Sequence, residues 1–288
     1  MKKKRVLVLG STGLIGHQVY NYLNDQNCFE MLNIAYRKKL NDETILCDVR
    51  EEIPFLNTIA ELKPDIIVNA IGILIEGANK DPENAIFINA YIPHRLKRLA
   101  NELKAKLVHI STDCVFSGRK GNYSETDEKD AYDTYGRTKA LGEVLDEPHL
   151  TLRTSVIGPE LKTNGEELFH WFMTQQNTIN GYTASIWSGV TTLELAKAVY
   201  WAIESDVAGL YHITNGIPIN KFELLSLIKK ATGRDITINA IEGRIVDKSL
   251  IDTRRERSYN YPSYSQMIKE IVEMMKKNRI LYKQYKIV

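Results

Sequence analysis

Val6-Leu7-Val8-Leu9-Gly10-Ser11-Thr12-Gly13-Leu14-Ile15-Gly16 sets the architecture of this chain. Four consecutive apolar residues read as a short strand buried on both faces, and the glycines at 10, 13 and 16 break it into a tight turn. An amphipathic helical pattern over 14–24 follows. Strand, glycine turn and helix N-terminus in this order make the place where backbone N–H groups and the helix dipole hold a dinucleotide pyrophosphate. The spacing is Gly-x-x-Gly-x-x-Gly, with Thr12 at the middle glycine of the commoner Gly-x-Gly-x-x-Gly, so the turn differs slightly. A glycine turn without a ligand is the plain alternative. The coincidence of three elements within the first 25 residues argues against it, and Gly10, Ser11, Thr12, Gly13, Leu14, Ile15 and Gly16 are the expected cofactor cradle.

Outward from this turn, apolar runs at 32–36, 44–46, 66–69, 107–110 and 150–153 alternate with amphipathic segments at 55–63, 83–103 and 135–146. The rhythm predicts an α/β fold, a Rossmann-type doubly wound parallel sheet with helices on both faces. After about residue 155 it loosens into turns at Gly158-Pro159, Asn164-Gly165 and Asn180-Gly181, then helices near 192–204, 220–231 and 264–277. The expected organisation is an NAD(P)-binding domain over 1–155. Residues 156–288 form mainly a smaller substrate-binding lobe, interleaved with the sheet because 210–213 reads as one more core strand.

The 288 residues are 43% hydrophobic, and 38 basic against 36 acidic residues leave a net charge of +2. No global field draws such a chain to nucleic acid or membrane, and no apolar run reaches the eighteen or so residues of a membrane span. The basic residues 2–5 ahead of 6–9 are a solvated N-terminus entering a strand, since the glycine turn interrupts the apolar run. Cys28, Cys47 and Cys114 are odd in number and contain no Cys-x-x-Cys, which argues against disulfides and zinc and for a reducing cytoplasm. No His/Asp/Glu cluster has metal spacing, and His109 reads as a core residue. The oligomeric state is left open, and a homo-oligomer is compatible with the sequence.

Where a NAD enzyme usually offers an acidic residue to ribose, the end of the second strand carries Arg37, Lys38 and Lys39. These suit a 2′-phosphate, so NADP is the preferred cofactor and NAD the alternative. Asp48 and Val49 follow the third strand at the adenine position, and Asn69, Ala70 and Gly72 follow the fourth, where backbone passes close to the cofactor. Tyr135 and Lys139 lie one helical turn apart. An ammonium roughly 4 Å from a phenol contributes about 4 kcal/mol at an effective dielectric of 20, an upper figure because desolvation opposes it. Such a phenol approaches the range of a general acid, whereas an exposed Tyr/Lys pair would have no chemistry.

Gly10-x-x-Gly13-x-x-Gly16, Asp48, Asn69-Ala70-x-Gly72, Ser111-Thr112-Asp113 and Tyr135-x-x-x-Lys139 together resemble the extended short-chain dehydrogenase/reductase superfamily. Within it, Ser111-Thr112-Asp113-Cys114-Val115-Phe116-Ser117-Gly118 resembles the Ser-Thr-Asp-Tyr-Val-Phe-Asp-Gly signature of the dTDP-4-dehydrorhamnose reductase family. The resemblance implies that Thr112 holds a substrate carbonyl, Tyr135 donates a proton to it, and Lys139 binds nicotinamide ribose and lowers the phenol pKa. Alternation along the strand turns Ser111 to the opposite face from Thr112. It also implies a cytoplasmic reductase of a 4-keto-6-deoxy sugar nucleotide in surface polysaccharide precursor synthesis. Cys114 in place of tyrosine and Trp187-Ser188-Gly189-Val190-Thr191-Thr192 in place of a Gly-Gln-Pro-Thr-type segment depart from the pattern on the substrate side. They point to another sugar, such as a UDP-linked 2-acetamido sugar. Ser111, Asp113, Arg153, Trp187, Lys248 and Arg254 are the expected substrate contacts, each with packing or a solvated charge as its alternative. A non-catalytic NADP-binding regulatory subunit, and an epimerase or dehydratase that recycles its hydride on a tightly held NAD, are the competing readings.

Overall fold

The computed structural model describes residues 2–254 and 259–287. In chain order the first elements are β1 (Lys4–Leu9), α1 (Gly16–Asp25), β2 (Phe29–Ala35), β3 (Ile45–Leu46), α2 (Glu52–Leu62) and β4 (Ile66–Asn69). Next come α3 (Ile75–Lys80), α4 (Pro82–Ala85), a π-helical segment (Ile86–Tyr91), α5 (Ile92–Leu103), β5 (Lys106–Thr112), α6 (Thr134–Leu141) and β6 (Leu150–Thr154). The remainder comprises β7 (Val156–Ile157), α7 (Leu168–Thr174), β8 (Thr178–Tyr182), β9 (Ser185–Trp187), β10 (Val190–Thr191), α8 (Thr192–Glu204) and β11 (Gly209–Ile213). It closes with β12 (Ile219–Asn220), α9 (Lys221–Thr232), β13 (Thr237–Ile241), β14 (Val246–Asp247) and α10 (Tyr264–Lys277).

The chain divides into two compact units. The first comprises residues 1–116, 128–153 and 196–211, and the second comprises 117–127, 154–195 and 212–288. Segment 117–127 therefore belongs with the later part of the chain, and 196–211 returns to the first unit, so no single cut near 155 separates them.

The first unit is built on a seven-stranded sheet of order β11-β6-β5-β4-β1-β2-β3. β1 pairs in parallel with both β2 and β4, and β2–β3 and β4–β5 are parallel as well. Val6, Leu7, Val8 and Leu9 have no exposed surface, as a strand covered on both faces requires. Leu7, Leu9, Ile34 and Ile67 from the sheet pack with Phe55 and Ile59 of α2 and Ile92, Leu96 and Leu99 of α5. Burying each such side chain is worth about 1.5–3 kcal/mol. The strand order reverses between β1 and β4, the crevice where open α/β sheets take their ligands.

The second unit carries short sheets: β7 beside β10, β8 beside β13, and β9 between β12 and β14. Asn220 caps α9 by accepting from the Glu223 N–H at 2.8 Å, and Ser263 caps α10 through the Gln266 N–H at 3.3 Å. Residues 117–127 are tied in by backbone. Tyr123 N–H donates to the Ser249 carbonyl at 2.8 Å, and its own carbonyl accepts from Ile251 at 2.9 Å.

Candidate functional site

The glycine turn is held closed by backbone hydrogen bonds, to β2 and within itself. Gly10 and Ser11 N–H groups donate to the Ile34 carbonyl of β2 at 2.9 and 3.1 Å, and Gly13 N–H donates to the Gly10 carbonyl at 2.9 Å. Gly10 has φ +79°, and a Cβ there would also press on Ala70 at 3.2 Å. A Cβ at Gly16 would collide with the Gly10 carbonyl. The turn thus admits no side chain at two of its three glycines, which leaves a cradle with bare backbone before α1. His17 locks it from behind. The ring is buried, its Nδ1–H donates to the Gly13 carbonyl at 2.7 Å, its Nε2 accepts from Gln18 at 3.2 Å, and burial pushes its pKa down to about 4. Ser11 belongs to the cradle only by its backbone, because its hydroxyl turns inward to Asn33 at 2.8 Å.

At the end of β2 the exposed Tyr36 ring has two guanidinium groups over it, Arg37 at 4.5 Å and Arg50 at 5.2 Å from its centroid. Asp48 fixes Arg50 through Nε at 3.0 Å and Nη2 at 2.6 Å, and this contact holds the Asp48 carboxyl below its usual range. Arg50 also donates to the Tyr36 hydroxyl. Lys38 is exposed beside them, and Val49 is buried in the core. Arg50 is a cation that the sequence pattern does not flag, since its place here comes from a side-chain pairing.

Beyond β4, Asn69 is fully used: its amide donates to His109 Nδ1 at 3.1 Å and its oxygen accepts from Ile71 N–H at 3.1 Å. His109 is buried and held neutral by desolvation, but only its Nδ1 has a hydrogen-bond partner and its Nε2 is buried without one, so it is a core residue that is not fully satisfied. Asn89, in the π-helical segment, was invisible to the periodic pattern. It holds the strand-end loop at both Ile73 N–H (2.9 Å) and Ile73 carbonyl (3.0 Å), and reaches the Thr138 hydroxyl at 3.3 Å. A Cβ on Gly72 would stand 3.5 Å from the same Asn89 oxygen.

Helix α6 begins where Asp133 accepts from the Gly136 N–H at 2.9 Å. Tyr135 is half-buried in its first turn, and Lys139, one turn on, is buried. The Lys139 ammonium donates to the Ile110 carbonyl of β5 at 2.8 Å, and burial pushes its pKa down to about 8. Thr112 closes β5. Its hydroxyl oxygen accepts from the Cys114 N–H at 3.1 Å and its proton points to Asp113 at 3.2 Å, so both residues are engaged with one another. Because β1, β4 and β5 are parallel, the glycine turn, the Asn69 loop and Thr112 share one sheet edge.

Three of the residues expected to meet substrate are engaged inside the protein. The Ser111 hydroxyl turns away from Thr112 to donate to Glu143 at 2.7 Å. Arg153 is 1% exposed and gives both Nε and Nη2 to Glu143 at 2.8 Å, an interior ion pair. Trp187 is 4% exposed and packs against Tyr264 at 5.6 Å, so its ring face has no free area for a sugar or base. Lys248 and Arg254 lie half-buried in the second unit, the latter with its N–H on Asp252 at 3.0 Å.

A doubly wound sheet, a glycine turn at its switch point and a Tyr-x-x-x-Lys helix beside a Ser-Thr strand end define an extended short-chain dehydrogenase/reductase. The RmlD substrate binding domain model matches residues 4–279, and the chain belongs to that family. It is 28% identical over 267 residues to the dTDP-4-dehydrorhamnose reductase of Salmonella typhimurium, covering 88% of this chain and 87% of that one. It is 32% identical over 142 residues to methionine adenosyltransferase 2 subunit beta of Danio rerio, covering 49% and 42%. Among solved structures, a dTDP-4-dehydrorhamnose reductase of Bacillus anthracis in complex with NADP superposes with a TM-score of 0.81 at 21% identity, over 95% of this chain and 100% of that one. Among the described residues, no helix is long and apolar enough to cross a membrane.

Proposed function

We propose that the protein reduces the 4-keto group of a 6-deoxy sugar nucleotide with NADPH, in the supply of a surface polysaccharide precursor. The observation that supports this reading is that α6, which carries Tyr135 and Lys139, is tied to β5 by the Lys139–Ile110 hydrogen bond, and that β5 ends at Thr112 in the same parallel sheet as the strand that leads into the bare glycine turn. The turn and the start of α1 would hold the pyrophosphate, and Arg37 and Lys38 would meet the 2′-phosphate. When bound, NADPH supplies the hydride that reduces the carbonyl carbon. Thr112 exchanges its contact with Asp113 for one with the carbonyl oxygen. Tyr135 passes its phenolic proton to that oxygen as it becomes an alkoxide, and the nearby Lys139 charge favours the phenolate left behind. The Salmonella relative supports a dTDP-linked 4-keto sugar, while Cys114 and the 187–192 segment favour testing UDP-linked 2-acetamido sugars beside it.

The test follows NADPH absorbance with 4-keto-6-deoxy sugars linked to dTDP, UDP and GDP. Turnover of at least one is expected, with Tyr135→Phe losing about 10²–10⁴-fold in kcat. A Tyr135→Phe variant as fast as wild type would remove the proton-donor role. The similarity to a methionine adenosyltransferase beta subunit supports a second reading, a binding subunit without catalysis. That reading is met by NADPH binding with no turnover of any sugar in the panel.

A further inference from the structure

Glu143 lies four residues beyond Lys139, just past the end of α6, and its side chain has no solvent exposure. Three cations surround its single carboxylate. Arg153 binds it at 2.8 Å through two nitrogens, Lys129 reaches it at 3.1 Å, and Lys139 stands within electrostatic reach. The strand beneath holds both Lys139 and Glu143. Ile110 takes the Lys139 ammonium at 2.8 Å, and the next residue, Ser111, takes Glu143 at 2.7 Å, so β5 docks cation and anion at consecutive positions. The other titratable neighbour of Lys139 on β5 is His109, which is neutral and offers no countercharge. Burial works against the ammonium, and the Glu143 carboxylate is the group that opposes this effect. Removing it would leave Arg153, Lys129 and Lys139 to repel one another in a medium of low dielectric.

We propose that Glu143 is a positioning residue that keeps Lys139 charged at neutral pH, and so sets the alkaline limit of proton transfer from Tyr135. Only the second clause rests on the reductase reading, because the charge on Lys139 can be measured without substrate. Protein labelled with ¹³Cε-lysine is titrated by NMR, with the Lys139 resonance assigned by its absence in Lys139→Met. The wild-type midpoint is expected near 8. Glu143→Gln keeps the shape and loses the charge, and its midpoint should fall by about one pH unit or more. The alkaline limb of kcat for the keto sugar should move down with it, while KM for the sugar changes less. A purely structural Glu143 would lower kcat without moving the limb. If Glu143→Gln does not fold, Glu143→Gln combined with Arg153→Met removes the buried pair together, and a smaller downward shift is expected, because the lost Arg153 charge no longer repels Lys139. Equal midpoints in wild type and the folded variant would overturn the proposal. A lowered midpoint in a protein that reduces none of the keto sugars would uphold the charge assignment and remove the reductase reading.

Discussion

Lys139 opposes the fold that holds it. Its folded pKa of about 8, against 10.5 for a free lysine, corresponds to roughly 3 kcal/mol in favour of the unfolded chain. The sign follows from proton binding. Between pH 8 and 10.5 the unfolded chain binds the proton and the folded one does not, so stability rises with pH across that window. Below pH 8 both states are charged and the full penalty stands. Lys139→Met is therefore expected to raise Tm at pH 7, with a gain that shrinks toward pH 10.5, while reductase activity is lost. Thermal scans at several pH values check this, and a gain independent of pH would refute it. The helix that carries Tyr135 and Lys139 is legible in the sequence from its residue spacing. The roles of Ser111 and Arg153 are not, because their shared partner Glu143 lies 32 and 10 residues away and no periodicity announces it. The packing of Trp187 on Tyr264 is hidden for a related reason: an aromatic residue at a departure from a family pattern says nothing of what packs on it.

Helix α6 has eight residues, too short to persist on its own propensity. Its existence rests on its ends. Asp133 caps the start, Gly136 lies where a Cβ would strike the Cys114 carbonyl, and Gly142 lies where one would strike the Asn89 carbonyl. Asp133→Ala should cost about 1 kcal/mol, read as a lower denaturation midpoint. It should also reduce kcat more than it weakens NADPH binding, because Tyr135 and Lys139 ride on this helix and the glycine turn does not. The segments read from periodicity at 6–9, 66–69 and 150–153 coincide with strands, since buried parallel strands show themselves as apolar runs. The helical segment read over 83–103 contains a π turn at 86–91. Asn89 directs its side chain to the Ile73 backbone there, a contact that residue spacing does not encode. The segment read to 146 stops at 141 because Gly142 packs directly on backbone.

At the scale of the molecule, β6 lies between β5 and β11, and β11 comes from residues more than fifty positions later in the chain. A fragment of residues 1–155 would keep the glycine turn and the whole Tyr135/Lys139 helix yet leave β6, buried along its full length, as an open edge. It is expected to aggregate or to lack cooperative unfolding, as size-exclusion chromatography and circular dichroism would show. A monomeric, cooperatively folded fragment would contradict that expectation. The run at 210–213 signalled the returning strand. The reassignment of 117–127 carried no sequence signal, since its ties to Ser249 and Ile251 are backbone hydrogen bonds between distant segments.

That last segment has a genealogical consequence. Residues 117–127 lie between Thr112 and Tyr135 in the chain, so the path from β5 to α6 runs through the second unit. A recombination event that exchanged the second unit as a cassette would need crossovers between Thr112 and Tyr135 as well as after residue 153. A chain threaded in this way is expected to diverge by replacement of single residues and loops rather than by exchange of whole units.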